Sequence, residues 1–218
     1  MGAVWQYLVD HWDEIKGWIW PTIWMAGLPL VVGLVLALPI GWIAYRYRWS
    51  YPPIVTGAGL LYTIPSIVLF FVLPGVIGSQ ILDPKNVAIA LTIYTLALLV
   101  RVVADGLASV STETLAAASA MGFTTWQRLV KVQLPIAVPV VGAGLRVAAV
   151  SNVSLVSVAS ILGVPQLGQL FVRSNSLNQI PPAVLGLILF LLLAIIFDLA
   201  ILVAIRLMTP WRRAAVAR

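Results

Sequence analysis

The chain has 218 residues, 61% hydrophobic and 9% charged, a net charge of +6 and a mean hydropathy of +1.05. Charged residues make up about a quarter of a soluble domain, so this is an integral membrane protein, and its apolar runs are continuous where barrel strands would alternate, which leaves helices. Zero cysteines and the single His11 exclude disulfides, thiolate catalysis, zinc–thiolate sites and a histidine metal cluster, and the basic residues lie scattered at the ends of apolar runs, not in the stripe that nucleic acid requires.

In residues 1–19, Trp5, Leu8, Val9, Trp12, Ile15 and Ile19 fall at helical spacing, with Gln6, Asp10, Asp13 and Glu14 elsewhere on the wheel. This predicts a short helix lying at the external membrane surface. Acidic residues with only Lys16 as a base do not form the basic region of a signal peptide, so the first span is expected to remain in the mature protein.

The first span is expected over 20–45, with Trp18, Trp20 and Trp24 at one end and Trp42, Tyr45, Tyr47 and Trp49 at the other as aromatic belts. Pro29 and Pro39 should kink it. A second span over 54–73 is interrupted by Thr63-Ile64-Pro65-Ser66 and closed by Pro74-Gly75. The third covers 86–105 and ends in Arg101 and Asp105, four residues apart on one helix face.

The fourth span, 135–161, is rich in small and hydroxyl residues, which permit close packing and can bond across a bundle or line a polar path. A polar external loop is expected over 162–182, then the most apolar span over 183–207, broken only by Asp198, and a basic tail over 210–218. The membrane region as a whole is expected over 20–209. The positive-inside rule sets the orientation: Arg46, Arg48, Arg101, Arg128, Lys131, Arg206, Arg212, Arg213 and Arg218 lie at one set of ends against Lys16, Lys85 and Arg173 at the other. Nine against three puts the N-terminus outside and the C-terminus in the cytoplasm.

Two charges remain inside the membrane. Arg146 lies eleven residues past Pro135 and Asp198 eight before Arg206, so both sit roughly 12–17 Å from the cytoplasmic end at about 1.5 Å per residue. Intramembrane charges need partners, and matched depth predicts an Arg146–Asp198 pair between the fourth and fifth spans; contact of either with a transported solute is the alternative.

Between the third and fourth spans, residues 111–134 form a moderately polar island that reads as helix, turn, helix. An ordinary cytoplasmic loop is the plain reading; a docking element for another protein is the specific one, since small alanines admit a close partner and Gly122 permits a tight turn. Spacing favours the second. Ala117 and Ala118, three residues, Gly122, nine residues, then Val132, Leu134 and Pro135 resemble the Glu-Ala-Ala loop of ABC-importer permeases, with Ala116 standing where that family has Glu. Thr63-Ile-Pro-Ser-Ile67, Val141-Gly-Ala-Gly-Leu-Arg146, Gly163-Val-Pro-Gln-Leu-Gly168 and Asp198 with Thr209-Pro-Trp-Arg-Arg213 resemble the short permeases of osmoprotectant importers, the glycine betaine, carnitine and choline group.

That resemblance implies an all-α integral membrane protein of five transmembrane helices with a cytoplasmic coupling helix, the type I ABC-importer permease fold. Ala116, Ala117, Ala118, Gly122, Phe123, Arg128, Leu134 and Pro135 would couple to an ATPase, and Tyr62, Pro65, Ser66, Ser151, Asn152 and Ser154 would border the translocation path. The implied partners are a second permease subunit, identical or paralogous, a cytoplasmic ABC ATPase dimer and an extracytoplasmic solute-binding protein, with membrane lipid around them. ATP and Mg would sit on the ATPase, since this chain has no Gly-rich phosphate loop followed by Lys-Ser/Thr; no cofactor and no catalytic residue are expected here. A type I permease for another small solute, such as an amino acid or sulfonate, is the nearest rival. A secondary transporter would be expected to show inverted repeats, and an intramembrane enzyme a convergent catalytic constellation. An assembly subunit leaves the loop spacing without a purpose.

Overall fold

The computed structural model describes residues 2–211, and over them the chain forms ten α-helices joined by short turns. Arg212, Arg213 and Arg218 of the expected basic tail lie outside the described residues. Helix α1 (Gly2–Asp10) stops at His11, whose φ of −118° and ψ of 19° leave the helical region. Helix α2 (Trp12–Arg46) then runs for 35 residues. The single surface helix expected over 1–19 is therefore corrected: residues 12–19 are the first turns of the first membrane helix. Asp13 and Glu14 favour a helix start there by facing its positive end, and nothing between them and Pro21 breaks the backbone ladder. At about 1.5 Å per residue α2 is roughly 52 Å long, well beyond an apolar core of about 30 Å.

Helix α2 stays continuous through Pro21, Pro29 and Pro39. Its buried face is a seam of small residues, Ala26, Gly33, Ala37, Gly41 and Ala44, facing helix α5 (Pro84–Ala108). A Cβ at Gly33 would lie 2.5 Å from Thr95 Cγ2, and one at Gly41 2.7 Å from Val103 Cβ. Only glycine lets the two backbones come this close, the device by which membrane helices gain dispersion contacts without a hydrophobic driving force between them.

The interruption expected at Thr63-Ile64-Pro65-Ser66 divides the second apolar segment into two helices, α3 (Tyr51–Thr63) and α4 (Ser66–Ile77), meeting at 100°. Ile64 is extended (φ −63°, ψ 127°) because Pro65 bars the helical region to its predecessor. The Tyr94 hydroxyl donates to the Ile64 carbonyl that the break frees. The element also ends later than Pro74-Gly75: Pro74 is inside α4, and Gly78, at φ 70°, terminates it. Four helices are long and apolar enough to cross a membrane alone, and the bent pair makes a fifth if it is one span.

Helix α5 is central, with Leu91, Leu99, Val103 and Leu107 wholly buried. Short helices α6 (Thr112–Ala120) and α7 (Thr125–Arg128) follow it; a π-turn over Leu129–Gln133 joins α7 to α8 (Leu134–Val158). Helix α9 (Gln169–Leu177) precedes α10 (Ile180–Met208). Only 11% of the most apolar stretch of α10 is buried, so it presents Leu191, Ile195, Ile196 and Leu199 outward. The core has two halves. One gathers Ile15, Met25, Phe70, Leu91 and Leu170, the other Leu30, Leu99, Leu107, Leu129 and Ala148.

The loop expected over 162–182 is more than a polar surface. Val164, Gln166 and Leu170 are wholly buried, and the Thr22 hydroxyl accepts from the Leu167 N–H at 2.9 Å. Gln166 Oε1 accepts from the Gly168 N–H at 2.6 Å, so this side chain satisfies backbone that a surface loop would leave to water.

Candidate functional site: the helix–turn–helix and the bundle above it

The segment between α5 and α8 is built by local rules. The Ser111 hydroxyl caps α6 by accepting from the Thr114 N–H at 3.2 Å. Thr124 starts α7 in a reciprocal capping box: its hydroxyl accepts from the Gln127 N–H at 3.3 Å, and Gln127 Oε1 accepts from the Thr124 N–H at 2.9 Å. Between them Gly122 adopts φ +81°, which a side chain rarely tolerates. The Phe123 N–H returns to the Ala118 carbonyl at 3.1 Å, closing the helix end. Glu113, in the first turn of α6, is held below the usual carboxylate range by its own backbone N–H first, then by the Ser111 and Thr112 hydroxyls.

Ala116 and Ala117 face outward, whereas Ala118 is buried. Phe123 is half-buried, and Arg128 ties α7 back to α6 by donating to the Ser119 hydroxyl at 2.6 Å. Leu134 packs on the second core half, with Pro135 half-buried beside it. The tip of the turn exposes Met121 at 69% and Trp126 at 67%. Neither residue falls on the spacing that marks the loop in the sequence. The available signal was two large apolar side chains flanking a turn glycine within a polar island. The π-turn was also missed. It buries Gln133, whose amide donates to the Tyr45 hydroxyl at 2.8 Å and links the end of α2 to the start of α8.

In the bundle, Arg146 of α8 donates from Nε to Asp198 Oδ1 at 2.6 Å and from Nη2 to Oδ2 at 2.8 Å, a two-pronged pair with α10. Both side chains are partly exposed, at 38% and 27%. Tyr62 meets Tyr94 edge-on at 5.8 Å, and both line a narrow cleft with Ser151, Asn152 and Leu155. Pro65 is exposed at the bend and Ser66 half-buried. Asn152 is turned into the bundle, donating to Thr95 Oγ1 at 2.9 Å and to the Ala26 carbonyl at 3.4 Å; it ties α2, α5 and α8 together. Ser154 is exposed and is not among the residues that line the cleft. Among the described residues no three of His, Cys, Asp and Glu are grouped as metal ligands.

Residues 30–209 match the family described as "Binding-protein-dependent transport system inner membrane component". The chain belongs to this family. As an inner membrane component of such a transport system it is a multi-pass permease, and its relatives agree. It is 31% identical over 195 residues to the osmoprotectant import permease protein OsmW of Salmonella typhimurium, covering 88% of this chain and 90% of the relative. It is 30% identical over 199 residues to the glycine betaine/carnitine/choline transport system permease protein OpuCD of Bacillus subtilis, covering 89% and 86%. The inward-facing MetNI methionine ABC transporter has a chain that superposes with a TM-score of 0.81 at 21% identity over 92% of this chain and 98% of that one. The permease therefore has the type I ABC-importer fold.

Proposed function

We propose that this permease forms the translocation path of an ATP-driven importer for quaternary-ammonium osmoprotectants: glycine betaine, carnitine, choline and, with them, proline. One observation carries the transport mechanism: a rigid, doubly capped helix–turn–helix stands at one end of the bundle, with Met121 and Trp126 exposed at its tip. Large apolar side chains on a preorganised turn suit insertion into a cleft of a partner protein. The substrate class rests on what the relatives are named for.

In this reading two permeases, this chain and a second copy or paralogue, stand over a pair of cytoplasmic ATPases and receive solute from an extracytoplasmic binding protein. The N-terminus is outside and the C-terminus inside. ATP and Mg2+ are held by the ATPases, and this chain performs no chemistry. Ala116, Ala117, Ala118, Gly122, Phe123 and Arg128 shape the docking element, while Leu134 and Pro135 join it to α8. Closure of the ATPases displaces the turn. Helix α7 is continuous with α8 through the π-turn, so the displacement passes to α8, and through Gln133 and Tyr45 to α2. Tyr62, Pro65, Ser66, Ser151, Asn152 and Ser154 border the path. The rocking of α8 between two packings exposes the path to one side at a time, a two-state change biased by ATP.

The test is uptake of radiolabelled glycine betaine, carnitine, choline and proline at high salt in cells carrying or lacking this permease and its partner subunits. Uptake is expected to vanish in the deletion and in Gly122→Asp, which strains the turn at φ +81° without touching the path. Unchanged uptake of all four solutes in the deletion, in a strain with no redundant importer, would replace this substrate class by another.

A further inference from the structure

At the same end of the bundle as the helix–turn–helix lies a cavity of about 670 Å3 between the end of α2, the start of α3, the end of α5 and the α6–α7 pair. Three arginines are among its lining residues, Arg46, Arg48 and Arg128, and no acidic residue is; the Arg46 guanidinium also lies over the Tyr47 ring at 5.7 Å. The nearest acid is already engaged: Asp105 accepts from the Tyr51 hydroxyl at 2.7 Å and pairs with Arg101 at 3.4 Å. Among the described residues Arg46 and Arg48 have no carboxylate partner, and Arg128 donates only to the hydroxyls of Ser119 and Thr125. Three basic residues around one concavity with no acid in its lining favour an anion there.

We propose that this cavity binds the phosphate of an anionic phospholipid such as phosphatidylglycerol. Arginine forks match phosphate oxygens two at a time, and basic pockets between membrane helices are suited to anionic headgroups. Two observations favour a lipid over a soluble anion. Trp42, Tyr45 and Tyr51 line the same cavity, and such side chains mark headgroup depth. Above Trp42, at helical spacing on the same face of α2, Val35, Val31 and Leu28 are exposed at 60%, 63% and 49%. That stripe offers a lane for an acyl chain leading directly from the basic cavity, which a free phosphate would not use.

The site borders both α7 and the Gln133–Tyr45 link, so an occupying lipid would brace the turn against the bundle. Occupancy is measured by native mass spectrometry of the full-length permease purified in micelles doped equally with phosphatidylglycerol and phosphatidylcholine. Retention of phosphatidylglycerol is expected to exceed that of phosphatidylcholine by about tenfold or more. The preference should fall about fivefold for each guanidinium removed in Arg46→Gln and Arg48→Gln, the factor supplied by one basic side chain near an anionic surface. Arg206→Gln, which removes the same charge at the end of α10, leaves the preference intact. If the double variant elutes as an aggregate, the single Arg48→Gln carries the test, since that side chain is exposed. Equal retention of the two lipids, or a preference unchanged in the Arg48 variant, overturns the proposal. Displacement of the lipid by millimolar inorganic phosphate reassigns the cavity to a soluble anion. Loss of the lipid on adding the ATPase subunits assigns it to protein docking; either result also ends the lipid reading.

Discussion

Arg146 and Asp198 are the only charged side chains placed deep within α8 and α10, and they meet through two short hydrogen bonds. A charge left alone in that setting must find water or a new partner, whereas a pair of neutral amide and carboxamide groups need not. Arg146→Gln and Asp198→Asn are each expected to reduce the amount of folded permease recovered from membranes, and the double variant to lose less than the two losses added together. Additive losses, measured by detergent-solubilised yield and thermal unfolding, would count against mutual dependence and for separate roles along the path.

Asn152 is the contrasting residue. Reading it as part of the path rests on its amide standing on a span rich in hydroxyls. It lines the cleft with Tyr62 and Ser151, and its burial to 1% and its bonds to Thr95 and Ala26 make it in addition a tie between three helices. Asn152→Leu is expected to lower stability by about 1 kcal/mol, the scale of a lost interhelical hydrogen bond with one partner left unpaired, while the solute concentration for half-maximal uptake stays put. A shift in that concentration with unchanged thermal stability would return Asn152 to the path.

Among the elements, α2 and α5 depend on glycine. A methyl group at Gly33 meets both the Thr95 side chain and the Leu96 backbone N, and one at Gly41 meets Val103 and the Val100 carbonyl. Backbone cannot turn aside as a side chain can. Gly33→Ala and Gly41→Ala are expected to cost about 1–3 kcal/mol each through overpacking, read as lower midpoints in denaturant-induced unfolding. Gly17→Ala, with nothing within 4 Å, is expected to be neutral or to stabilise α2 by up to about 1 kcal/mol through helix propensity. This seam is visible in the sequence as small residues at positions 26, 33, 37, 41 and 44, yet it was masked there by the prolines, which direct attention to kinks. The helix–turn–helix over 111–134 was easier to read, because its turn, caps and spacing are written by neighbouring residues.

At the scale of the whole molecule, the open matter is how the chain is threaded. Apolar length alone treats 54–73 as one span, but α3 and α4 meet at 100°, so how that region crosses depends on the bilayer and on the second permease. The orientation expected from the positive-inside rule is testable because the chain has no cysteine. In intact spheroplasts a membrane-impermeant maleimide is expected to label Lys85→Cys and to spare Met121→Cys, both at exposed positions. Permeabilisation should then expose Met121→Cys. Labelling in the opposite order would invert the permease and place its helix–turn–helix outside, away from any ATPase.

The sequence by itself determined the membrane class, the helical character of the chain and the turn at Gly122. Each follows from composition, or from interactions within a few residues: apolar run length, belts of aromatic residues, a capping box, a glycine where φ must be positive. Only the tertiary structure decided that residues 12–19 belong to α2, that Gln166 and Asn152 are buried ties, and that Arg46, Arg48 and Arg128 share one cavity. The arginine cavity and the Asn152 tie depend on residues far apart in the chain becoming neighbours, as Asn152 does with Thr95 at a separation of 57 and with Ala26 at 126. No local pattern encodes such a meeting; it arises when the close packing of α2 on α5 sets where every other helix can lie.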